Sequence, residues 1–265
     1  MGKNADPKEK YRIILSCRRL RVIKLFIFLH FSAQCGSYSF IWNLVLQVSN
    51  FAKKISQKLN RPQQKFVHQM IYGILAGNKL HLSEIARSLK ENITLKKTID
   101  RLSRNLTAFD EKESVMQDYL SLVKQHIKED YAVIIIDNSD IAKPASRKLE
   151  ALSEIRDGST GEITQGYLTI EAAVLSEPGK MPLPVYEKVF SAAEEGFVSE
   201  THENLCCLQS LSENFSPKCV RTLDRGFDAN DYYRYFLKRR ERLYAPKRTG
   251  MSSITGIPAT SWMWH

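Results

Sequence analysis

The chain has 265 residues, a length that suits one large domain or two small ones. Its hydrophobic fraction of 43% is ordinary and permits a buried core. The net charge of +10 favours a polyanionic partner such as nucleic acid; a basic protein without such a partner is the alternative. The five cysteines include no C-x-x-C pair, which argues against a zinc site and favours a reducing, cytoplasmic environment.

The first 55 residues form an atypical extension. Residues 10–24 are basic, and residues 25–48 are fairly apolar. The charged leader is long for a signal peptide, and no small-residue cleavage site follows it. Polar residues interrupt the apolar run, which argues against a membrane span. We therefore expect no membrane role and interpret residues 1–55 as a surface-binding helix or a poorly ordered extension.

Residues 56–130 are predicted to be helical and to contact DNA. Apolar residues recur three and four positions apart in residues 62–76, which is the spacing of one helix face. A short helix at 82–90 and an amphipathic helix at 94–106 follow, joined by a tight polar turn. This arrangement resembles a helix-turn-helix, while a plain helical bundle with a solvated basic face is the alternative. The candidate DNA contacts are the basic residues of the second helix: Lys96, Lys97, Arg101 and Arg104.

After Asp130 the pattern changes from helices to strands. Residues 132–137 form a continuous, β-branched run, which is typical of a strand buried on both faces. Residues 143–166 are polar and rich in turn residues. The later predicted elements are strands at 166–176, 182–191 and 219–224 and helices at 200–214 and 228–240. The order strand, strand, strand, helix, strand, helix is that of a ribonuclease-H-like core, so we predict an α+β or α/β chain with a mixed sheet in residues 131–242.

Two of these strands end in an acid. The first strand ends at Asp137 and the fourth at Asp224. In a ribonuclease-H-like core the first and fourth strands are neighbours, so their terminal carboxylates can lie together. Asp140 is the alternative for the first position. The competing interpretation is that both aspartates simply favour the turns that end strands.

Paired carboxylates on rigid strand ends suit metal-dependent phosphodiester chemistry. Two Mg²⁺ or Mn²⁺ ions roughly 3.5–4 Å apart can activate the attacking oxygen and stabilise the leaving one. Mg²⁺ prefers carboxylates and water as ligands. A phosphohydrolase with Asp137 as nucleophile is a further alternative, although such enzymes favour D-x-D and the spacing from Asp137 to Asp140 is D-x-x-D.

Several segments of the chain resemble insertion-sequence transposases of the DDE class, in the branch whose core carries an inserted β-rich region. They are RPQQKFVHQMIYGILAGNKLHLSEIARSL, IDNSDIAKP, IRDGSTGEITQGY, PLPVYEKVFS and TLDRGFDANDYYRYF, within residues 60–241. The resemblance implies a ribonuclease-H-like catalytic domain, Mg²⁺ or Mn²⁺, and DNA transposition. It also implies that Asp137 and Asp224 are the first two catalytic acids and metal ligands, that Arg225 touches DNA, and that Asp228 caps the following helix.

The chain departs from this family in its third acid. The family has a glutamate on a later helix, and the acids after Asp224 are Asp228, Asp231 and Glu241, none of which matches it. Residues 243–265 contain no acid, and we interpret them as an aberrant tail that a frameshift would produce. We therefore expect an incomplete core in a truncated, inactive copy. The alternative is a non-catalytic DNA-binding regulator that occupies transposon ends, as a homodimer or with a full-length transposase.

Overall fold

The computed structural model describes residues 37–127, 132–146, 149–177, 181–224, 227 and 230–244. The helices in these ranges are α1 (Ser37–Ile55), α2 (Arg61–Gly77), α3 (Leu82–Leu89), α4 (Leu95–Thr107), α5 (Lys112–Gln125), α6 (Glu200–Asn214) and α7 (Asn230–Arg239). The strands are β1 (Val133–Ala142), β2 (Ser153–Arg156), β3 (Ile163–Leu175), β4 (Leu183–Phe190), β5 (Val220–Leu223) and β6 (Arg242–Tyr244). The predicted combination of helices with a mixed sheet is confirmed.

The chain divides into two compact units. The first holds the residues up to His126 together with Ala142–Glu154 and Thr164–Gly166. The second holds Ile127–Ile141, Ile155–Ile163 and the residues from Tyr167 onward. The first unit contains α1 to α5, and the second contains most of the sheet with α6 and α7.

Local sequence signals define the ends of α2. The Asn60 side chain accepts a hydrogen bond from the Gln63 backbone at 3.0 Å, and the Gln63 side chain accepts one from the Asn60 backbone at 3.2 Å. This capping box satisfies backbone donors that the first helical turn leaves free. Pro62 lies in that turn, where its missing N–H costs nothing. The helix ends at Gly77, and Asn78 follows in the left-handed region with φ 52°.

The first unit, called the helical unit below, is held together by close packing between its helices. Its core comprises Phe66, Met70, Ile74, Ile85, Ala86, Leu102 and Leu106. A Cβ at Gly73 would lie 2.5 Å from the Ile85 Cγ2 and 3.2 Å from its Cα, so a glycine is required where α2 meets α3. The helix α1 packs against α2 and α5, and its Val48, Ala52 and Ile55 are buried, so this part of the predicted extension contributes to the core.

The sheet of the second unit contains both parallel and antiparallel pairs. Along the path β2–β3–β1–β5–β6 each strand is hydrogen-bonded to the next, and β4 also pairs with β3. The β3–β4 pair is antiparallel, whereas β1 pairs with β5, and β5 with β6, in parallel. The two central parallel strands, β1 and β5, therefore run in the same direction and end at the same edge.

The structure adds two short strands to those predicted from sequence. The strand β2 lies in the polar stretch 143–166, where Ile155 is the one buried residue of the strand. A single apolar residue gives no two-residue alternation, which explains why the sequence pattern predicts only turns here. The strand β6 includes Leu243 and Tyr244, the first two residues of the predicted tail.

Candidate functional site

The register of β1 and β5 brings Asp137 and Asp224 to equivalent positions. Val133 pairs with Val220 and Ile136 with Leu223, so partners are 87 positions apart. The same register, continued by one residue, places Asp137 beside Asp224. Neighbouring strands lie about 4.8 Å apart, so the two carboxyl groups can approach the same small ion.

The two aspartates lie on the more exposed face of this pair of strands. On the opposite face, Ile134 is fully buried and Leu223 is 2% exposed. Side chains alternate between the faces of a strand, so Asp137 shares its face with Ile135, which is 39% exposed. Asp137 and Asp224 are both exposed. The sequence therefore uses one face to anchor the strands and the other to present the acids.

The chemistry of this pair fits a hard divalent cation. Carboxylate oxygens are the side-chain ligands that Mg²⁺ and Mn²⁺ prefer. Within the described part of the chain, the Asp137 carboxylate makes no hydrogen bond or ion pair, so its oxygens are available to a ligand. Two like charges placed side by side repel one another, and a bound cation would relieve that repulsion.

Asp140, the alternative for the first acid, has a different environment. It lies three residues after Asp137, which places it on the other face of β1, and its Oδ1 accepts a hydrogen bond from the Gly158 N–H at 3.0 Å. Gly158 belongs to a turn in which the Asp157 carboxylate accepts hydrogen bonds from Ser159 and Thr160. The bonds from the Ser159 hydroxyl and backbone, followed by that from Thr160, lower the pKa of Asp157. Asp140 thus holds this turn and is not brought together with Asp137.

A third carboxylate does not join the pair among the residues that the structure describes. In these residues no group of three or more His, Cys, Asp or Glu side chains is arranged to hold a metal ion. Asp231 is exposed on α7, with its carboxylate 3.7 Å from the Arg234 guanidinium. Asp228 and the predicted DNA contact Arg225 lie outside the described residues.

Glu241 is buried in an ion pair. Its Oε2 lies 3.6 Å from the Nε of Arg221, and the side chains are 5% and 0% exposed. Arg221 pairs in register with Ile134, so it lies on the face of β5 opposite Asp224. The Ser212 hydroxyl donates to the same Glu241 oxygen at 3.0 Å. The sequence pattern did not single out Arg221; its one signal is a charged residue within the short predicted strand CVRTLD.

Of the four DNA contacts predicted on α4, three are exposed. Lys96, Lys97 and Arg104 are exposed, whereas Arg101 is only partly exposed. The Arg101 guanidinium donates two hydrogen bonds to Glu91, at 2.6 and 2.8 Å, and one to the Gln69 amide oxygen at 2.8 Å. Arg101 therefore belongs to a network that joins α2, the turn after α3, and α4, and it differs in this from the exposed basic side chains.

Glu91 is the centre of this network. Besides Arg101, it accepts hydrogen bonds from the Gln69 amide at 2.9 Å and the Thr98 hydroxyl at 3.1 Å. Partial burial pushes the pKa of Glu91 upward, but the bonds from Arg101 and Thr98, the charge of Arg101 and the bond from Gln69 together hold it below its ordinary value. The ionised carboxylate thus fixes the turn between α3 and α4, a role that its isolated position in the sequence does not reveal.

The substitution Glu91→Gln should destabilise the helical unit by about 1 kcal/mol, because the neutral amide cannot replace a charge-assisted bond to Arg101. The folded-state pKa is lowered, so the contribution of Glu91 is complete above the ordinary glutamate pKa of about 4.3 and is lost as the pH falls through the folded-state value. Urea denaturation at pH 7 and at decreasing pH would measure this. A difference between the two proteins that stays constant at acidic pH would contradict it.

No helix within the described ranges is long and apolar enough to cross a membrane. Comparison with models of protein families finds no match, and comparison with curated proteins finds none either.

Proposed function

We propose that this chain is a transposase of the DDE class by descent, and that Asp137 and Asp224 form part of its divalent-metal site. The observation that carries the proposal is the register of β1 and β5, which aligns the two acids that the family resemblance selects. The two residues are 87 positions apart in sequence, yet they occupy equivalent positions on neighbouring strands.

The strand order supports a ribonuclease-H-like core. Such a core places its first strand beside its second and its fourth, and the corresponding strands here are β1, β3 and β5. Because β1 and β5 are parallel, Asp137 and Asp224 lie at the same edge of the sheet. The short strand β2 is an addition within the stretch between the first two of these strands.

In this proposal the chain's own residues position an ion and bind DNA. Asp137 and Asp224 hold Mg²⁺ or Mn²⁺, which supplies stabilisation of charge on the reacting phosphate oxygens when bound. Ile134, Ile136 and Leu223 are buried and keep the two strand ends rigid. Lys96, Lys97 and Arg104 contact DNA phosphates at the transposon ends, in keeping with the net charge of +10.

A non-catalytic DNA-binding regulator is the second candidate function. The observation that favours it is that Glu241 is paired with Arg221 on the other face of β5, and that no third acid joins Asp137 and Asp224 within the described ranges. Loss of one ligand weakens a metal site strongly. A chain of this kind binds transposon ends alone, as a homodimer or beside a full-length transposase, without cutting DNA at a normal rate.

Strand transfer and DNA binding, measured with the same protein, separate the two functions. We expect the chain to bind DNA but to show little Mg²⁺- or Mn²⁺-dependent cleavage or strand transfer by itself. Strand transfer at a normal rate that Asp137→Ala abolishes would establish the catalytic function and exclude the regulator. Failure to bind DNA above the level of a basic protein of equal charge would contradict both.

The double substitution Lys96→Ala and Lys97→Ala should weaken DNA binding because it removes two phosphate contacts. The slope of the logarithm of affinity against the logarithm of salt concentration should fall by about one for each contact removed. The matched control is Lys54→Ala with Lys65→Ala, which removes two exposed cations from α1 and α2. Equal slopes for the two double variants would contradict the assignment of α4 as the DNA-binding helix.

A further inference from the structure

An acid lies in the middle of the exposed face of α4. The opposite face of this helix packs into the core through Leu102 and Leu106, which are 0% and 3% exposed. Lys97, Asp100 and Arg104 recur three and four positions apart, so they share the outward face, and all are exposed. Asp100 is therefore surrounded by the cations to which we assign DNA binding.

The Asp100 carboxylate is free of partners among the described residues. Arg104, one helical turn later, donates from Nε to the Asp100 backbone carbonyl at 3.3 Å and forms no ion pair with the carboxylate. Arg101 is held by Glu91. In the same unit Asp118, by contrast, is paired with Lys58 at 2.5 Å. The Asp100 oxygens thus remain available to an external hydrogen-bond donor.

An unpaired carboxylate on a phosphate-binding surface weakens non-specific binding, because it repels the phosphate backbone. The same carboxylate strengthens binding where a base presents a hydrogen-bond donor in the major groove. Cytosine presents its N4 amino group there, whereas adenine presents its amino group beside an N7 acceptor, and guanine presents two acceptors. Ile93, which precedes α4 and is 49% exposed, adds an apolar side chain of the kind that contacts thymine methyl groups.

We propose that Asp100 is a specificity-determining residue that accepts a hydrogen bond from the N4 amino group of one cytosine in the major groove. This inference rests on the proposed DNA-binding function of α4. In this inference the phosphate contacts of Lys96, Lys97 and Arg104 provide affinity for DNA of any sequence, whereas Asp100 determines which base is preferred.

The test is selection of bound sequences from a random-sequence DNA duplex library by the full chain and its Asp100→Ala and Asp100→Asn variants. The matched control is Glu113→Ala, which removes an exposed acid from α5 and changes the net charge equally. We expect the wild type and the control to select cytosine at one position. Both Asp100 variants should lose at least about tenfold of that discrimination, keep the preferences at other positions, and bind random DNA more tightly than the wild type.

The outcomes distinguish this inference from the function on which it rests. Unchanged base preferences in the Asp100 variants would overturn the inference. So would binding without any base preference by a wild type whose affinity still depends on Lys96 and Lys97, and the DNA-binding function would then stand. Absence of DNA binding, or binding insensitive to both lysines, would overturn the proposed function itself.

Discussion

Replacing Glu241 with alanine should lower the free energy of unfolding by about 3–5 kcal/mol, the usual cost of removing one partner of a buried ion pair. Arg221 is 0% exposed, and its charge would remain in the interior without a counter-charge. Within the described part of the chain, the Nε and Nη2 of Arg221 have no hydrogen-bond partner, and Nη1 donates to the Ser216 and Cys219 carbonyls. Urea denaturation followed by circular dichroism would measure the loss.

The matched control for this prediction is Asp231→Ala. Asp231 also faces an arginine, Arg234, but the two side chains are 59% and 78% exposed, so water screens the pair. Exposed pairs contribute about 0–1 kcal/mol, and we expect a change within that range. Adding Arg221→Met to Glu241→Leu should recover much of the lost stability, since both charges are then absent. A Glu241 variant no less stable than the Asp231 variant would contradict the buried ion pair.

Mn²⁺ should stabilise the wild-type chain, and Asp137→Asn should remove that stabilisation. An ion that binds only the folded state at ten times its Kd adds about 1.4 kcal/mol, which corresponds to a rise in Tm of about 3–5 °C in a chain of this size. The variant keeps the shape of the side chain but removes one ligand charge. Thermal unfolding with increasing Mn²⁺ would measure the response of each protein.

Asp140→Asn is the control, because it makes the same chemical change three residues away on β1. Asp140 faces the other side of the strand and holds Gly158, so its substitution should lower Tm at every Mn²⁺ concentration but leave the rise with metal intact. Loss of the Mn²⁺ response in Asp140→Asn and its retention in Asp137→Asn would reverse our assignment of the first acid.

The elements that sequence patterns predicted well are those with strong periodicity. The helix predicted at 200–214 matches α6, and the β-branched run at 132–137 lies almost wholly within β1. Regular elements of this kind are specified by their own residues, through apolar spacing and caps such as the Ser199 side chain at the start of α6. The same β-branched run was predicted to be buried on both faces, but Ile135 is 39% exposed, so only the face of Ile134 and Ile136 is buried.

The features that sequence patterns missed depend on contacts distant in the chain. Arg101 has the helical spacing of a DNA contact, but Gln69, which lies 32 positions earlier, and Glu91 hold it in the structure. Arg221 and Glu241 form their pair only because the sheet brings β5 beside the start of β6. The spacing of residues along the chain does not reveal partners that are distant in sequence. Charge patterns alone therefore cannot distinguish a structural arginine from one that binds a ligand.

The most direct test of the metal pair is a crystal structure of the chain soaked with Mn²⁺, examined for anomalous scattering. We expect a peak at coordination distance from carboxylate oxygens of both Asp137 and Asp224. A peak at Asp140 without these two residues, or none at saturating Mn²⁺, would contradict the central claim.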